Sequence, residues 1–419
     1  MKDAKNGSFD SLTFVISKQF VFTLSFVLLV LSRLMFDSTH LSELLGEKTT
    51  SVISSLLLMG AMLLMMFLAI FYKYPRKGVF LLAICIGIFG LSCFKCRATN
   101  LFISFLFLYY SNVIIDKKKF ARTVIVLFAA MLIVVSSLSV SGLISMSVKE
   151  RATSDALRYS LGFIHPNQVG IIVFEIVAMI FYIDAGTKHY RKYIKYIISG
   201  FLTIVTFLIT NTFSFVALAM LLMAASFAYD VLLCRGWFSQ KSLKRFFRIG
   251  LIVLAVIVAV VVYRIWNNPS ILQGSLKTLR TRFVLSQRYI KAYGIKPFGS
   301  KIITGDDVAI PGFSSGYFYL DNGYARLLVE YGLIAGLTVM LGLFRAVSNL
   351  IRIPKWQYLI IMLCLLVYLF NEQRMITVFF NPMLLLMSEY IIPDHRARDG
   401  IFSGNKRMKL SIENTRTDG

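Results

Sequence analysis

The chain has 419 residues, of which 57% are hydrophobic and only 16% charged, and its mean hydropathy is +0.71. A water-soluble domain carries roughly 25% charged residues, so this composition excludes an ordinary soluble enzyme. The net charge of +24 is read as basic loops that orient a membrane protein and meet anionic lipid. No basic patch is interleaved with the aromatic signatures of nucleic-acid modules, which argues against a nucleic-acid partner.

Taken in chain order, the apolar runs are long enough to cross a bilayer as helices, about 17 to 25 residues each. They are continuous rather than alternating, which favours helices over a barrel. The expected fold is all-α, one integral membrane domain over 1–419 with about twelve spans. These are 14–36, 51–72, 78–94, 98–115, 122–145, 167–186, 193–210, 212–234, 246–266, 323–347, 356–372 and 376–392. The first run is too long for a signal-peptide core and no small-residue cleavage site follows it. Cys93-Phe-Lys-Cys96 has redox-motif spacing, but no second pair completes a metal site, so two small apolar residues at a helix end are expected.

Lysine and arginine concentrate in alternate loops, including Lys117, Lys118, Lys119, Lys192, Lys195 and the stretch from Arg235 to Arg248. The positive-inside rule then puts both termini in the cytoplasm, with 393–419 a basic cytoplasmic tail. Two longer segments fall outside, 146–166 and the polar loop 267–322. Loops of that length are functional or disordered, and aromatic content argues against disorder in the second.

Read as a helix, Leu276–Gly294 sets Leu276, Leu279, Phe283 and Ile290 on one stripe and Lys277, Arg280, Arg288 and Lys291 on the next. That pattern suits a helix lying at a membrane interface, with its cations on lipid headgroups. Arg282 falls on a different face, beside Ser286, Tyr289 and Tyr293, where a guanidinium can fork toward phosphate. In the other outer loop His165 precedes Pro166, a helix-start residue, and is either a proton-transfer group or a structural hydrogen-bonding one. Glu175 lies about ten residues into its span, where an ionisable group is a site candidate by default. Arg326 and Glu330 are spaced as a plain i, i+4 ion pair. Asp321, Asn322, Glu372 and Arg374 are candidates for helix capping or for contacts with sugar hydroxyls. No phosphate-gripping loop, H-E-x-x-H or outer D-x-D metal motif occurs, so no cofactor or metal is expected.

Two stretches together carry a resemblance. Ser141-Gly-Leu-Ile, Arg158 and Gly162-Phe-Ile-His165-Pro-Asn167 come first. Arg282-Phe-Val-Leu-Ser, Tyr293-Gly-Ile-Lys-Pro-Phe-Gly299, Leu320-Asp321-Asn322-Gly-Tyr324 and Tyr331-Gly332-Leu follow. In this order they resemble the Wzy-type polysaccharide polymerases of the O-antigen ligase/polymerase superfamily, closest to the Gram-positive capsule or exopolysaccharide branch. The resemblance implies a bacterial cytoplasmic-membrane glycosyltransferase that joins oligosaccharide repeat units carried on undecaprenyl pyrophosphate at the outer face. A chain-length regulator and a flippase would be its partners, beside membrane lipid. It further implies that Arg158, Arg282 and Arg288 meet pyrophosphate, that His165 or Asp321 is the base, and that Asn167 and Asn322 orient sugars. One departure stands out: Thr210-Asn-Thr-Phe213-Ser214 lacks the arginine that many relatives carry there, leaving Arg97 or Arg374 to replace it. The rival readings are a transporter or lipid-linked sugar flippase, which tends to show two similar halves absent here, and a ligase of the same superfamily.

Overall fold

The computed structural model describes residues 17–72, 76–151, 154–185, 192–234 and 277–392 except 354, with a few single positions between 245 and 268. The expected span 246–266 and the tail 393–419 lie outside the described residues. Among those described, eight helices are long and apolar enough to cross a membrane. The chain is a predominantly helical, multi-pass membrane protein.

Helix α1 (Lys18–Val30) starts where the Ser17 hydroxyl accepts the Phe20 amide, and it continues as a wider π-turn over Leu31–Phe36. After the short turn helix α2 (Leu41–Leu45), α3 (Glu47–Phe71) returns against α1. Small polar residues let these backbones approach: Ser25 donates to the Ala61 carbonyl (2.7 Å) and Ser32 to that of Ser54 (2.9 Å). Next come α4 (Arg76–Cys96), α5 (Asn100–Tyr110) and α6 (Lys117–Val140), then α7 (Pro166–Asp184), α8 (Lys192–Thr210) and α9 (Phe213–Cys234). The most buried of the spans is α7, packed by α6, α8, α9 and later helices. Glu175 sits fully buried on it, its carboxylate turned toward the backbone of Met383.

Two departures from an all-helical chain gather at one end of the bundle, called here the hairpin end. Strands β1 (Val148–Arg151) and β2 (Ser154–Tyr159) pair antiparallel, as do β3 (Gly305–Ile310) and β4 (Phe313–Phe318). The second hairpin and α10 (Lys277–Tyr293) enclose a small core of their own, made by Leu285, Tyr289, Ile310, Phe318 and Leu320 with Val329. The described part of the long polar loop is therefore folded. Of the apolar stripe expected to face lipid, Phe283 and Ile290 turn inward instead: the Phe283 ring packs 5.3 Å from that of Phe370 and Ile290 packs against the small core.

The expected span 323–347 divides into α11 (Gly323–Val329) and α12 (Leu333–Arg352), because Gly332 breaks the helix in a left-handed conformation (φ +94°). The Arg326–Glu330 ion pair bridges that junction, with Arg326 Nη2 to Glu330 Oε1 at 3.2 Å. Helix α13 (Trp356–Asn371) follows. The last apolar run, 376–392, is not a spanning helix. A 3-10 turn (Gln373–Ile376) gives way to a further turn closed by the Asn381 amide on the Thr377 carbonyl (2.8 Å), then to the short α14 (Met383–Leu386) and α15 (Ser388–Ile391). Nearly all of it is buried against α5, α7 and α12. Non-helical backbone at membrane depth survives only when protein shields it, which explains this placement.

Candidate functional site

The structure sorts the sequence-derived residues into two groups at the hairpin end. In the first, Arg158 on β2 donates from Nη2 to Asn167 Oδ1 (2.5 Å) and from Nε to the Thr210 carbonyl (3.4 Å). The turn that lacks its own arginine is thus reached by Arg158 from the neighbouring hairpin. His165 is the N-cap of α7: Nδ1 accepts the Asn167 amide (3.1 Å), and its own amide donates to Gln168 Oε1 (3.1 Å). With Nδ1 accepting, the neutral ring carries its proton on Nε2 and offers a donor rather than a base.

This loop is clamped to the turn between α1 and α3. The His40 amide donates to the Gly162 carbonyl (2.9 Å) and the Ile164 amide to that of Ser38 (3.1 Å). Glu43 Oε2 accepts the Ser145 amide (2.6 Å), while Oε1 meets His40 Nδ1 (3.1 Å). The Ser145 hydrogen bond, with His40 adding to it, holds the Glu43 carboxyl below its usual range. A carboxylate with a lowered folded pKa stabilises above its unfolded pKa, and that contribution is lost as pH falls through the folded value. We therefore expect proteolysis of the 146–166 loop in wild-type protein to accelerate below about pH 4.5, the unperturbed value of the group. Glu43→Gln should cut faster at neutral pH and lose that acid dependence; an unchanged profile would take Glu43 out of the clamp.

The second group surrounds Arg282. Its Nη1 points to Asn371 Oδ1 (3.5 Å), at the end of α13. Glu372 caps the following turn and accepts from Arg374 Nη1 (3.1 Å), and the Arg374 guanidinium lies 5.8 Å from the Phe380 ring. Asp321, part-exposed, ends the strand side of the loop, and Tyr317 and Tyr319 stand beside it with ring centroids 4.8 Å apart. The Tyr317 ring is 53% exposed, yet desolvation of its hydroxyl, with Asp321, Tyr319 and Asp306 adding, pushes the phenol up to about 12 against the pull of Arg282. Tyr319 feels Asp306, Asp321 and Arg374 in the same way. Two cations, two carboxylates and two aromatic rings thus share one electrostatic neighbourhood.

Between the groups, Phe174 on α7 meets Tyr368 on α13 edge-on (5.0 Å). Asn167 lies two turns above Phe174 on the same helix face, and Asn371 one turn beyond Tyr368. The groups therefore occupy the ends of two helices in contact, and no contact joins Arg158 to Arg282 among the described residues. Of the proposed replacements for the missing arginine, Arg374 belongs to the Arg282 group, whereas Arg97 is exposed at the end of α4.

The remaining candidates have structural partners. Asn322 caps α11, its Oδ1 accepting the Tyr324 and Ala325 amides (3.0 and 3.1 Å), so that oxygen is committed to the helix. Arg288 lies exposed over the Phe313 and Phe318 rings (5.7 and 6.0 Å), supporting the hairpin away from Arg282. Ser286, Tyr289 and Tyr293 do share the face of Arg282. Ser286 donates to the Arg282 carbonyl (2.8 Å), and the two tyrosines bond the backbone at Ile303. The sequence reading missed Tyr317, Tyr319, Asp306 and Asn371, since nothing in linear spacing brings them to Arg282. No family model matches the chain, and no curated protein or solved structure matches it.

Proposed function

We propose that this protein is a membrane glycosyltransferase that polymerises undecaprenyl-pyrophosphate-linked oligosaccharide repeat units. The hairpin end faces outward from a bacterial cytoplasmic membrane and both termini lie inside. The observation that carries this reading is the close Tyr317–Tyr319 ring pair, with Arg282 reaching Asn371 at the end of α13 and Arg374 three residues further along the chain. Guanidinium groups suit the pyrophosphate leaving group, because they stabilise charge where it develops. A carboxylate suits the acceptor hydroxyl, and part-exposed tyrosine faces suit sugar rings with their mixed apolar and polar surfaces.

The reaction uses these parts as follows. An acceptor hydroxyl on one repeat unit attacks the anomeric carbon of the other, and its proton passes to the Asp321 carboxylate. The new glycosidic bond forms as the anomeric C–O bond to pyrophosphate breaks, and the departing diphosphate keeps the bonding pair. Arg282 and Arg374 balance its charge. His165, as a donor through Nε2, serves the diphosphate or a sugar oxygen rather than the base role, which moves to Asp321. Arg158 holds Asn167 in place for sugar contact.

Reconstitution with a lipid-pyrophosphate repeat unit tests the reading. A ladder of lengthening glycans without nucleotide sugar supports it; movement of the lipid between leaflets with no lengthening overturns it. The transporter reading draws on the buried Glu175 and on the interrupted final segment, features that ion-coupled carriers also use. The tyrosine pair separates binding from chemistry. Tyr317→Ala should raise KM for the acceptor about tenfold, roughly 1.4 kcal/mol, with little change in kcat, while Tyr317→Phe stays near wild type. Equal losses in both variants would point to the hydroxyl and not the ring face.

A further inference from the structure

Where α6 ends and α3 begins, three side chains form a line that the proposed reaction does not use. The Ser147 hydroxyl oxygen, just before β1, lies 2.7 Å from His40 Nε2. On the other side of the ring, His40 Nδ1 lies 3.1 Å from Glu43 Oε1. Glu43 is fixed in turn, because its Oε2 accepts the Ser145 amide (2.6 Å). An ionised carboxylate only accepts, so Nδ1 carries the ring proton and Nε2 keeps its lone pair. The Ser147 hydroxyl therefore donates to Nε2. Both spacings are those that a nucleophile, its base and the group orienting that base require. The clamp is already made by backbone bonds, His40 to Gly162 and Ile164 to Ser38, and does not need a hydroxyl aimed at an imidazole lone pair.

The line is open to a substrate: the His40 and Glu43 side chains are 23% and 41% exposed, and Ser147 is part-exposed. The Ser160 amide bonds the Ser147 carbonyl (3.1 Å), so the adjoining Val148–Tyr159 pair is of the kind that exchanges no ladder bonds. The Val148 amide is then directed away from β2, and it follows the serine in the chain, a position that suits an oxyanion donor. Leu44, Leu45, Leu143 and Val148, neighbours of the three residues in sequence, are exposed apolar side chains at the level where spans end. Such side chains meet lipid. We propose that Ser147, His40 and Glu43 form a second catalytic centre, a serine esterase for carboxylic esters borne by membrane lipid. Ser147 Oγ attacks the ester carbonyl carbon as its proton passes to His40 Nε2. The ester C–O bond then breaks, the alcohol leaves with that proton, and an acyl-serine remains. Water, activated by the same nitrogen, releases the acid and restores Ser147. Glu43 positions the ring. This activity is independent of the glycan reaction proposed above.

The test treats the full-length protein in lipid nanodiscs with a hexadecyl fluorophosphonate and locates adducts by mass spectrometry. An adduct is expected on Ser147 and is absent from Ser147→Ala. His40→Gln should slow labelling about 100-fold. Glu43→Gln offers its amide to Nδ1, which moves the ring proton to Nε2, and should slow labelling to a similar extent; Glu43→Asp should recover part of it. Limited proteolysis of the 146–166 loop shows that each variant is folded. A methyl fluorophosphonate should react more slowly than the hexadecyl reagent, and the reverse order would reject the lipid-borne substrate. No adduct on Ser147 in folded protein, or equal labelling of His40→Gln, would overturn the proposal. Labelling requires no glycan, so its outcome and that of the ladder assay are read separately.

Discussion

If the proposed polymerase reading holds, Arg282→Ala is expected to abolish chain growth and to leave only single-repeat glycan. Removing one preorganised donor from a developing anion lowers turnover by about 10²–10³-fold, and here the donor is charged. The effect is large because Arg282 sits on the protein-facing side of α10, with its guanidinium directed to Asn371 at the end of α13. Arg282→Lys restores the charge without the planar fork and should recover only part of the rate. Arg280, exposed on the adjoining face, is the internal control: Arg280→Ala should change chain length little. Glycan ladders from cells that carry each variant at equal membrane abundance provide the measurement. Wild-type chain length with Arg282→Ala would remove this residue from the site.

Gly299→Ala should be the most damaging substitution outside the site. Gly299 has a left-handed backbone (φ +79°), and a methyl group there would overlap the carbonyl oxygen of Glu330. The neighbouring Gly332 (φ +94°) stands in the same relation to the Gly299 nitrogen, so two glycines press backbone against backbone. Three hydrogen bonds join the strands of chain: Ser300 amide to Glu330 carbonyl (3.0 Å), Leu333 to Lys296 (2.9 Å) and Ile334 to Pro297 (3.0 Å). This is the rivet that fastens the folded loop to the α11–α12 junction. The strain and the clash together should cost more than about 3 kcal/mol, enough to release the loop. Gly294→Ala shares the left-handed backbone (φ +69°) but faces open space, so about 1 kcal/mol is expected. Thermal unfolding and limited proteolysis of the two variants should separate clearly; coincident melting curves would mean that the close approach is not a support of the fold.

The spans were legible because hydrophobic length has a direct physical meaning in a bilayer. Residues 14–36, 51–72, 122–145 and 167–186 correspond to helices Lys18–Phe36, Glu47–Phe71, Lys117–Val140 and Pro166–Asp184 to within a few residues at most ends. The His165–Pro166 start was legible for a local reason, since capping chemistry depends on neighbours in sequence. The face of α10 that carries Arg282 was also readable, because helical periodicity alone decides it. What hydropathy cannot report is whether an apolar run crosses lipid or fills the protein interior, and 376–392 does the second. The hairpins were missed since their strands are short and polar on one side, as in Gly305-Asp-Asp-Val-Ala-Ile. The role of Asn322 was left open between capping and sugar contact, and only the geometry of its Oδ1 decides what that atom does.

The interrupted final segment also constrains how the protein is made. A spanning helix satisfies its own amides and can leave the translocon alone, whereas an irregular turn such as Thr377–Asn381 cannot sit in hydrocarbon unaided. Its partners must be waiting: the Ser104 hydroxyl accepts the Val378 amide, and Lys117 meets both the Leu386 carbonyl and Glu389 (3.1 and 3.0 Å). Those partners belong to α5 and α6, translated far earlier. This stretch is expected to pack only after α5, α6 and α7 have formed the surface that receives it. Residues 376–392 therefore enter the fold by docking and not by release of a helix into lipid.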